Sequence, residues 1–407
     1  SARDAGEDIA RLLEVRRAAY DSIPWQIDTT ERALEDVVEV VMGLAGVHTL
    51  PVAHPSGTYD IHIGYDTLVH LGGAMRAAGI PEGSRVAVVT NDVVGPLWSD
   101  AVHEALVAVG FQPFACVLPD GEAHKTLETV QSLYDALVHG DLSRRDAVLA
   151  LGGGVTGDIA GFAAATYMRG VRFVQVPTSL LAMTDASVGA KTGVDLPQGK
   201  NLVGAFKQPE LVFVDTAVLG TLPEAEVRSG FAEVAKHGLI GDGHLFEELA
   251  GMTLAERSVI APELLARSIQ VKINIVQEDP LESGRRAVLN LGHTVGHALE
   301  LLSGYQMRHG EAVAIGIVAS ARIAERMGLT NAGLGDQVVG LLGAMGLPVR
   351  CPPWPVSGIW MAMRHDKKRQ GAQLRWVLPR AIGQVELCDN VPEALVTGVL
   401  LDMGAHA

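Results

Sequence analysis

Apolar and polar positions change their spacing twice along the chain. Residues 8 to 20 carry Ile9, Leu12 and Leu13 at helical spacing, and Pro24 interrupts the pattern. A second helix is expected to begin near Asp28 and Glu31, a capping pair, with Leu34, Val37, Val38 and Val41 on its apolar face. From about Thr49 to Thr216 the spacing shifts to short β-branched runs, RVAVVTN, FQPFACVLP, DAVLALGGG, VRFVQVPT and LVFVDT, separated by amphipathic stretches. That alternation predicts a parallel α/β sheet. After Leu222 helical periodicity dominates almost to Pro348 and predicts a mainly helical domain. The expected organisation is therefore a helical extension over 1–48, an α/β domain over 49–218 and a helical domain over 219–407. A cleft between the two domains is the default ligand site. Neither an internal repeat nor a low-complexity segment is visible.

Composition narrows the class. With 407 residues, 48% of them hydrophobic, 19% charged and 46 glycines, the chain reads as a compact globular enzyme rather than a disordered or fibrous one. Its formal net charge of −15, with no run of Lys and Arg along a helix, lacks the footprint of a nucleic-acid binder. Cys116, Cys351 and Cys388 are far apart and fit free thiols in a reducing compartment. No apolar run has membrane-spanning length and the start carries no secretory pattern, so the expected location is the cytoplasm, without membrane contact. Ser1 in place of Met points to a processed or excised chain.

The segment LALGGGVTGDIAG sets Gly152 to Gly154 directly after an apolar strand, with Gly157 and Asp158 at the mouth of the next helix. Bare backbone amides at a helix start attract phosphate, and a side chain there would block the approach of a pyrophosphate. The spacing departs from GxGxxG, and a packing turn is the alternative reading. Asn91, Glu122, Lys125 and Thr178 stand at the ends of predicted strands, where open α/β sheets bind ligands. Each alone is an ordinary cap or turn residue; together they suggest a dinucleotide across the strand ends.

NLGHTVGHALE places His293 and His297 four apart on one helix face, and His309 follows in MRHGEAVAIG. This is a plausible metal-ligand set. A carboxylate is the usual companion ligand, and Glu233 in SGFAEVAKHGL is an acid in apolar helical context with Lys236 one turn on. Spacing does not choose which two histidines bind. A zincin-type protease is disfavoured because position 294 is Thr, where that chemistry needs Glu. Arg169, Lys191, Lys200, Lys236, Lys272, Arg286 and Lys367 lie in glycine-rich or apolar contexts of an acidic chain. Together they suggest a site for phosphate and carboxylate, solvated surface lysines being the alternative.

Six ordered segments, GGGVTGDIAGFAAATYMRG, VPTSLLAMTDASVGAKTGVDLPQGKNLVGAF, SGFAEVAKHGLI, RAVLNLGHTVGHALE, HGEAVAIG and HDKKRQG, resemble the dehydroquinate synthase family from about Val52 to the C-terminus. The resemblance implies a Rossmann-like NAD-binding domain followed by a mainly α-helical metal-binding domain. It implies that Glu233, His293 and His309 hold a divalent metal, zinc or cobalt, and that His297 is free to serve the substrate. Lys191, Lys236, Lys272, Arg286 and Asn290 match family positions that join His297 in catalysis. Asp185, Lys200, Asn201 and Lys367 match substrate contacts, and Arg169 matches an arginine reaching in from the neighbouring subunit of a homodimer. Gly153, Gly154, Asp158, Glu122, Lys125 and Thr178 match NAD-binding positions. Ala190 replaces the second Gly of the family's GGKT, and Thr184 and Ala186 replace a commoner Val and Ser, changes expected to touch packing more than chemistry.

The implied substrate is a sugar phosphate, 3-deoxy-D-arabino-heptulosonate 7-phosphate. NAD would oxidise its C5 hydroxyl, phosphate would leave after loss of the C6 proton, and the hydride would return before aldol closure to 3-dehydroquinate. Three other readings compete: a valiolone-type cyclase acting on sedoheptulose 7-phosphate, a metal-dependent polyol dehydrogenase, and a catalytically dead NAD-binding scaffold. The segment LLEVRRAAYDSIPWQIDTTERALEDVVEVV resembles the C-terminal tail of a shikimate kinase lacking its phosphate loop, which implies a fused or associated kinase. An ordinary helical extension is the alternative.

Overall fold

The structure, a computed structural model, describes residues 46–252, 260–282, 284–370 and 374–407. The helices expected over 8–20 and from Asp28 lie outside the described residues, as does the side chain of Lys367. The chain divides into two compact units: one runs to Ala53 and includes Gly57–Thr178 and Ala190–Val218, and the other holds His54–Ser56, Ser179–Gly189 and Leu219–Ala407.

The first unit is built on β1 (His48–His54), β2 (Gly57–Gly64), β3 (Arg85–Asn91), β4 (Gln112–Leu118), β5 (Ala147–Gly152), β6 (Arg172–Pro177) and β9 (Leu211–Asp215). Their order in the sheet is β1-β2-β9-β6-β5-β3-β4, and every pair from β2 to β4 is parallel. All five strands expected from the β-branched runs are present. Every residue of β5 and β9 is buried, which is why those stretches read as unbroken apolar runs rather than alternating ones. Among the described residues the unit also holds helices α1 (Leu71–Ala77), α2 (Gly95–Val107), α3 (Leu127–His139) and α4 (Gly154–Thr166). Ile159, Ala160 and Ala163 of α4 join Val148 and Ala150 of β5 in one core. The segment KTGVDLPQGKN forms an antiparallel hairpin, β7 (Lys191–Leu196) and β8 (Gly199–Phe206), turning at Pro197 and Gln198 because Leu196 pairs with Gly199. At the end of β9 the Asp215 carboxylate accepts the backbone N–H groups of Asp66, Thr67, Leu68 and Ala217, at 2.7 to 2.9 Å, and pins the turn that follows β2.

The second unit is mainly helical, with α5 (Glu224–Gly241), α6 (Gly243–Gly251), α7 (Pro262–Glu278), α8 (His293–Leu302), α9 (His309–Arg326), α10 (Leu334–Ala344), α11 (Val356–Gln370) and α12 (Glu393–Asp402). One antiparallel hairpin, β10 (Trp376–Ala381) with β11 (Gln384–Cys388), departs from the helical expectation; Trp376 to Pro379 are all buried, so no alternation marks the strand in the sequence. Helix α9 is buried on nearly all sides. Its neighbours approach to backbone contact: a Cβ on Gly316 would overlap the carbonyl of Gly292, just before α8, and one on Gly310 would overlap the carbonyl of Ser229 in α5. Three helices are thereby drawn closer together than larger residues would allow.

Between Ser187 and β7 two successive residues take left-handed backbone, Gly189 at φ 104° and Ala190 at φ 63°. The departure noticed at position 190 is thus a strained alanine held in a conformation suited to glycine. Replacing Ala190 with Gly is expected to stabilise the protein by about 1 kcal/mol, raising Tm by about 2 °C in calorimetry.

Candidate active site

In the first unit, Gly152 closes β5, Gly153 caps α4 in extended conformation and Gly154 opens it. No acidic side chain occupies the first turn, so the amides there present positive partial charge to an anion. A buried Lys125 lies beside this turn, its Nζ 2.5 Å from Asp158 Oδ2 and 2.6 Å from Asn201 Oδ1. Burial opposes its charge, but Asp158, Glu122 and Asp195 outweigh that and raise its pKa. Lys200 Nζ reaches Glu122 Oε1 at 3.1 Å, and the Thr178 amide donates to the carbonyl of Gly152. Asn91 ends β3 and is engaged locally: its Oδ1 accepts the amides of Val93 and Val94 and its Nδ2 donates to Asp120. Open amides beside a paired lysine fit a dinucleotide's pyrophosphate.

In the second unit, three elements bring Glu233, His293 and His309 together, with one ligand atom of each lying within 4.8 Å of the others. Glu233 Oε1 is 3.9 Å from His293 Nε2 and 3.7 Å from His309 Nε2, while Oε2 is in ion-pair contact with Lys236 Nζ. The carboxylate is fully buried, and neither oxygen accepts a hydrogen bond of good geometry. A buried carboxylate paired with one lysine and facing two imidazoles is a donor set suited to zinc or cobalt. Burial opposes ionisation of Glu233, yet Lys236 and the imidazoles hold its pKa well below the usual range. Burial and the Lys236 charge hold His293 well below its ordinary value. Burial also opposes protonation of His309, but the Glu233 and Glu300 carboxylates on either side of its ring prevail and raise it to about 10. The ring of His297 lies 5.1 Å from that of His293 and 6.2 Å from that of His309.

Cationic groups surround this cluster. Asp185 sits in a π-helical turn, Ala182–Ala186, and Lys272 Nζ donates to its Oδ1 at 2.6 Å and its carbonyl at 2.5 Å. Burial lowers the Lys272 pKa; it also works against the Asp185 charge, but Lys272 prevails and lowers the Asp185 pKa. Thr184, the departure next to Asp185, is buried and satisfies its hydroxyl on the Leu180 carbonyl at 2.8 Å. Arg286 is buried, its guanidinium donating to the carbonyls of Pro280 and Gly189. Its amide donates to Asp279. Asn290 closes the same helical segment, Arg285–Asn290.

Lys125, Asp158, Glu122, Lys200 and Asn201 meet in the first unit, and Asp185, Lys272, Glu233, Lys236 and the three histidines in the second. Arg169 is exposed on a turn with left-handed backbone, and Lys191 is exposed at the start of β7. Sequence reasoning passed over His237, which is fully buried with Nδ1 2.9 Å from Ser268 Oγ and whose pKa is lowered to about 3 by burial and Lys236. It also passed over Glu300, although that residue stands seven after His293 on the same helix.

Comparison with known proteins agrees with this arrangement. The family models for the 3-dehydroquinate synthase N-terminal and C-terminal domains match residues 115–229 and 230–369. A 3-dehydroquinate synthase from Synechocystis sp. is 44% identical over 359 residues, 86% of this chain and 99% of that one. A solved 2-epi-5-epi-valiolone synthase from Streptomyces hygroscopicus subsp. jinggangensis, with NAD+ and Zn2+ bound, superposes with a TM-score of 0.78 at 28% identity, over 86% of this chain and 98% of that one. A 2-deoxy-scyllo-inosose synthase complexed with carbaglucose-6-phosphate, NAD+ and Co2+ gives 0.75 at 28% identity, over 88% and 100%. With both family domains matched and a relative this similar along nearly its whole length, the chain belongs to the 3-dehydroquinate synthase family.

Proposed function

We propose that the chain acts as a 3-dehydroquinate synthase, converting 3-deoxy-D-arabino-heptulosonate 7-phosphate into 3-dehydroquinate and phosphate. The observation that carries this reading is the 44% identity to a 3-dehydroquinate synthase over almost its full length, against 28% to the cyclases of other products. The donor sets described above support NAD at the α4 turn and zinc or cobalt on Glu233, His293 and His309. Held there, NAD would supply the acceptor and donor of a hydride at C5, and a metal on Glu233, His293 and His309 would polarise the C5 oxygen.

The protein's own residues supply orientation and proton handling. Lys236, Lys272 and Arg286, buried beside the cluster, counter the substrate's phosphate and carboxylate. The family resemblance would make Lys191, Lys200, Asn201, Asn290, Asp185 and Lys367 further substrate contacts and Arg169 a contribution from a second copy in a homodimer. His297 stands beside the two metal-binding imidazoles without joining the Glu233 set, and holds or passes the proton exchanged near C5. The C6 proton, acidified while C5 is a ketone, passes to the departing phosphate as the C6–C7 double bond forms and the C7–O bond breaks.

Mixing protein, NAD and zinc with the heptulosonate phosphate is expected to release phosphate and 3-dehydroquinate without lasting NADH. Turnover of sedoheptulose 7-phosphate alone would move the chain to the valiolone-type cyclases, and accumulating NADH would mark a polyol dehydrogenase. His297→Ala is expected to lower kcat by about 100-fold with zinc content unchanged, measured by steady-state kinetics and atomic absorption. Full turnover in that variant would remove His297 from the proton path. Because the metal-free fold raises His309 from 6.5 to about 10, its protonation stabilises that form fully below pH 6.5 and progressively less toward pH 10. Zinc must displace that proton, so its affinity is expected to rise by about tenfold per pH unit across this window, as read by chelator competition.

A further inference from the structure

The second unit contains a carboxylate that the proposed chemistry leaves without a role. Glu300 is buried on α8, seven residues after His293 and three after His297, so all three occupy one stripe of the helix. Its backbone carbonyl is held by the Ser303 hydroxyl at 2.7 Å and the Tyr305 amide at 2.8 Å, which fixes the end of α8. Its Oε1 lies 3.4 Å from His309 Nδ1, at the long end of hydrogen-bond reach. The His309 ring therefore spans two carboxylates: Nε2 faces Glu233 at 3.7 Å and Nδ1 faces Glu300.

We infer that Glu300 is a positioning residue for the metal centre, accepting the Nδ1 proton of His309 so that Nε2 presents its lone pair beside Glu233 and His293. An imidazole can ligate through Nε2 only when its remaining proton sits on Nδ1, and an acceptor there fixes both tautomer and ring rotation. The other histidine of the set follows the same logic with a different acceptor, since His293 Nδ1 lies 3.2 Å from the Leu291 carbonyl and its Nε2 faces Glu233. A carboxylate is a stronger acceptor than a backbone carbonyl, so the two ligands differ in basicity, and His309 is the stronger donor of the pair.

A second grouping, His297, Glu300 and His309, also places its atoms within 4.8 Å of one another and would use Glu300 as a ligand instead. Two features favour the positioning role. Glu233 is the fully buried carboxylate of the two groupings, and both His293 and His309 turn Nε2 toward it.

The inference rests on Glu233, His293 and His309 being the metal ligands, and the test separates the two. Zinc and cobalt affinities of the metal-free full chain are measured by competition with a chromophoric chelator for wild type, Glu300→Gln, Glu300→Ala and Glu233→Gln. Metal-free Tm and the visible spectrum of bound Co2+ are recorded for each. Glu300→Ala is expected to weaken binding by about 100-fold and the isosteric Glu300→Gln by about 10-fold, with one metal still bound, a shifted Co2+ band and unchanged metal-free Tm. Wild-type affinity in both Glu300 variants would overturn the inference and leave the ligand set standing. A fall in metal-free Tm that matches the loss of affinity would overturn it in favour of a structural role. Abolished binding in Glu300→Gln with Glu233→Gln unaffected would place the metal in the second grouping and overturn both the ligand set and the inference.

Discussion

A carboxylate sealed from water organises the helical unit. Burying the Glu233 charge without compensation would cost several kcal/mol, so the fold has to bring positive charge or donors to it. Lys236 comes from the next turn of the same helix, but the two imidazoles must come from α8 and from the first turn of α9. That requirement explains why α9 meets its neighbours through glycine: with a side chain at Gly310 or Gly316, the histidines could not reach the carboxylate. The Asp185–Lys272 pair adds a second balanced charge nearby, so the site holds buried charge without imposing a large net field.

Much of this was legible beforehand, and the reasons are local. Parallel strands flanked by helices on both faces have no solvent-facing side, so β5 and β9 announce themselves as continuous apolar runs. The histidines of α8 follow helical period, and an acid among Phe231, Ala232, Val234 and Ala235 is conspicuous because such a neighbourhood cannot solvate it. What stayed hidden depends on partners distant in sequence. His237 reads as an ordinary polar residue until Ser268, thirty-one positions away, supplies its hydrogen bond. The β10–β11 hairpin is paired across a Pro-interrupted strand whose stability comes from packing rather than pattern. Asn91 has a local partner that its position at a strand end does not reveal: its side-chain oxygen accepts the Val93 and Val94 amides at the start of the following turn.

Net charge also proved a poor guide to local chemistry. A chain with fifteen more acidic than basic residues conceals Lys125, Lys236, Lys272 and Arg286 within its interior. Each is matched by a carboxylate or by carbonyl oxygens, so none requires an anion for folding to proceed, and each has polar capacity to offer one. Low dielectric around these groups strengthens whatever they bind, which is how an acidic protein can still bind an anionic substrate.

The glycine contacts along α9 bear on how the proposed centre would receive ions of different radius. With the Gly292 carbonyl against Gly316 between α8 and α9, no side chain remains to be adjusted there, and the two histidine-bearing helices would act as a single jaw. The opposing jaw is Glu233, whose side chain has three rotatable bonds. A larger or smaller ion would therefore be met by adjustment of the Glu233 side chain rather than of the helices that carry the imidazoles.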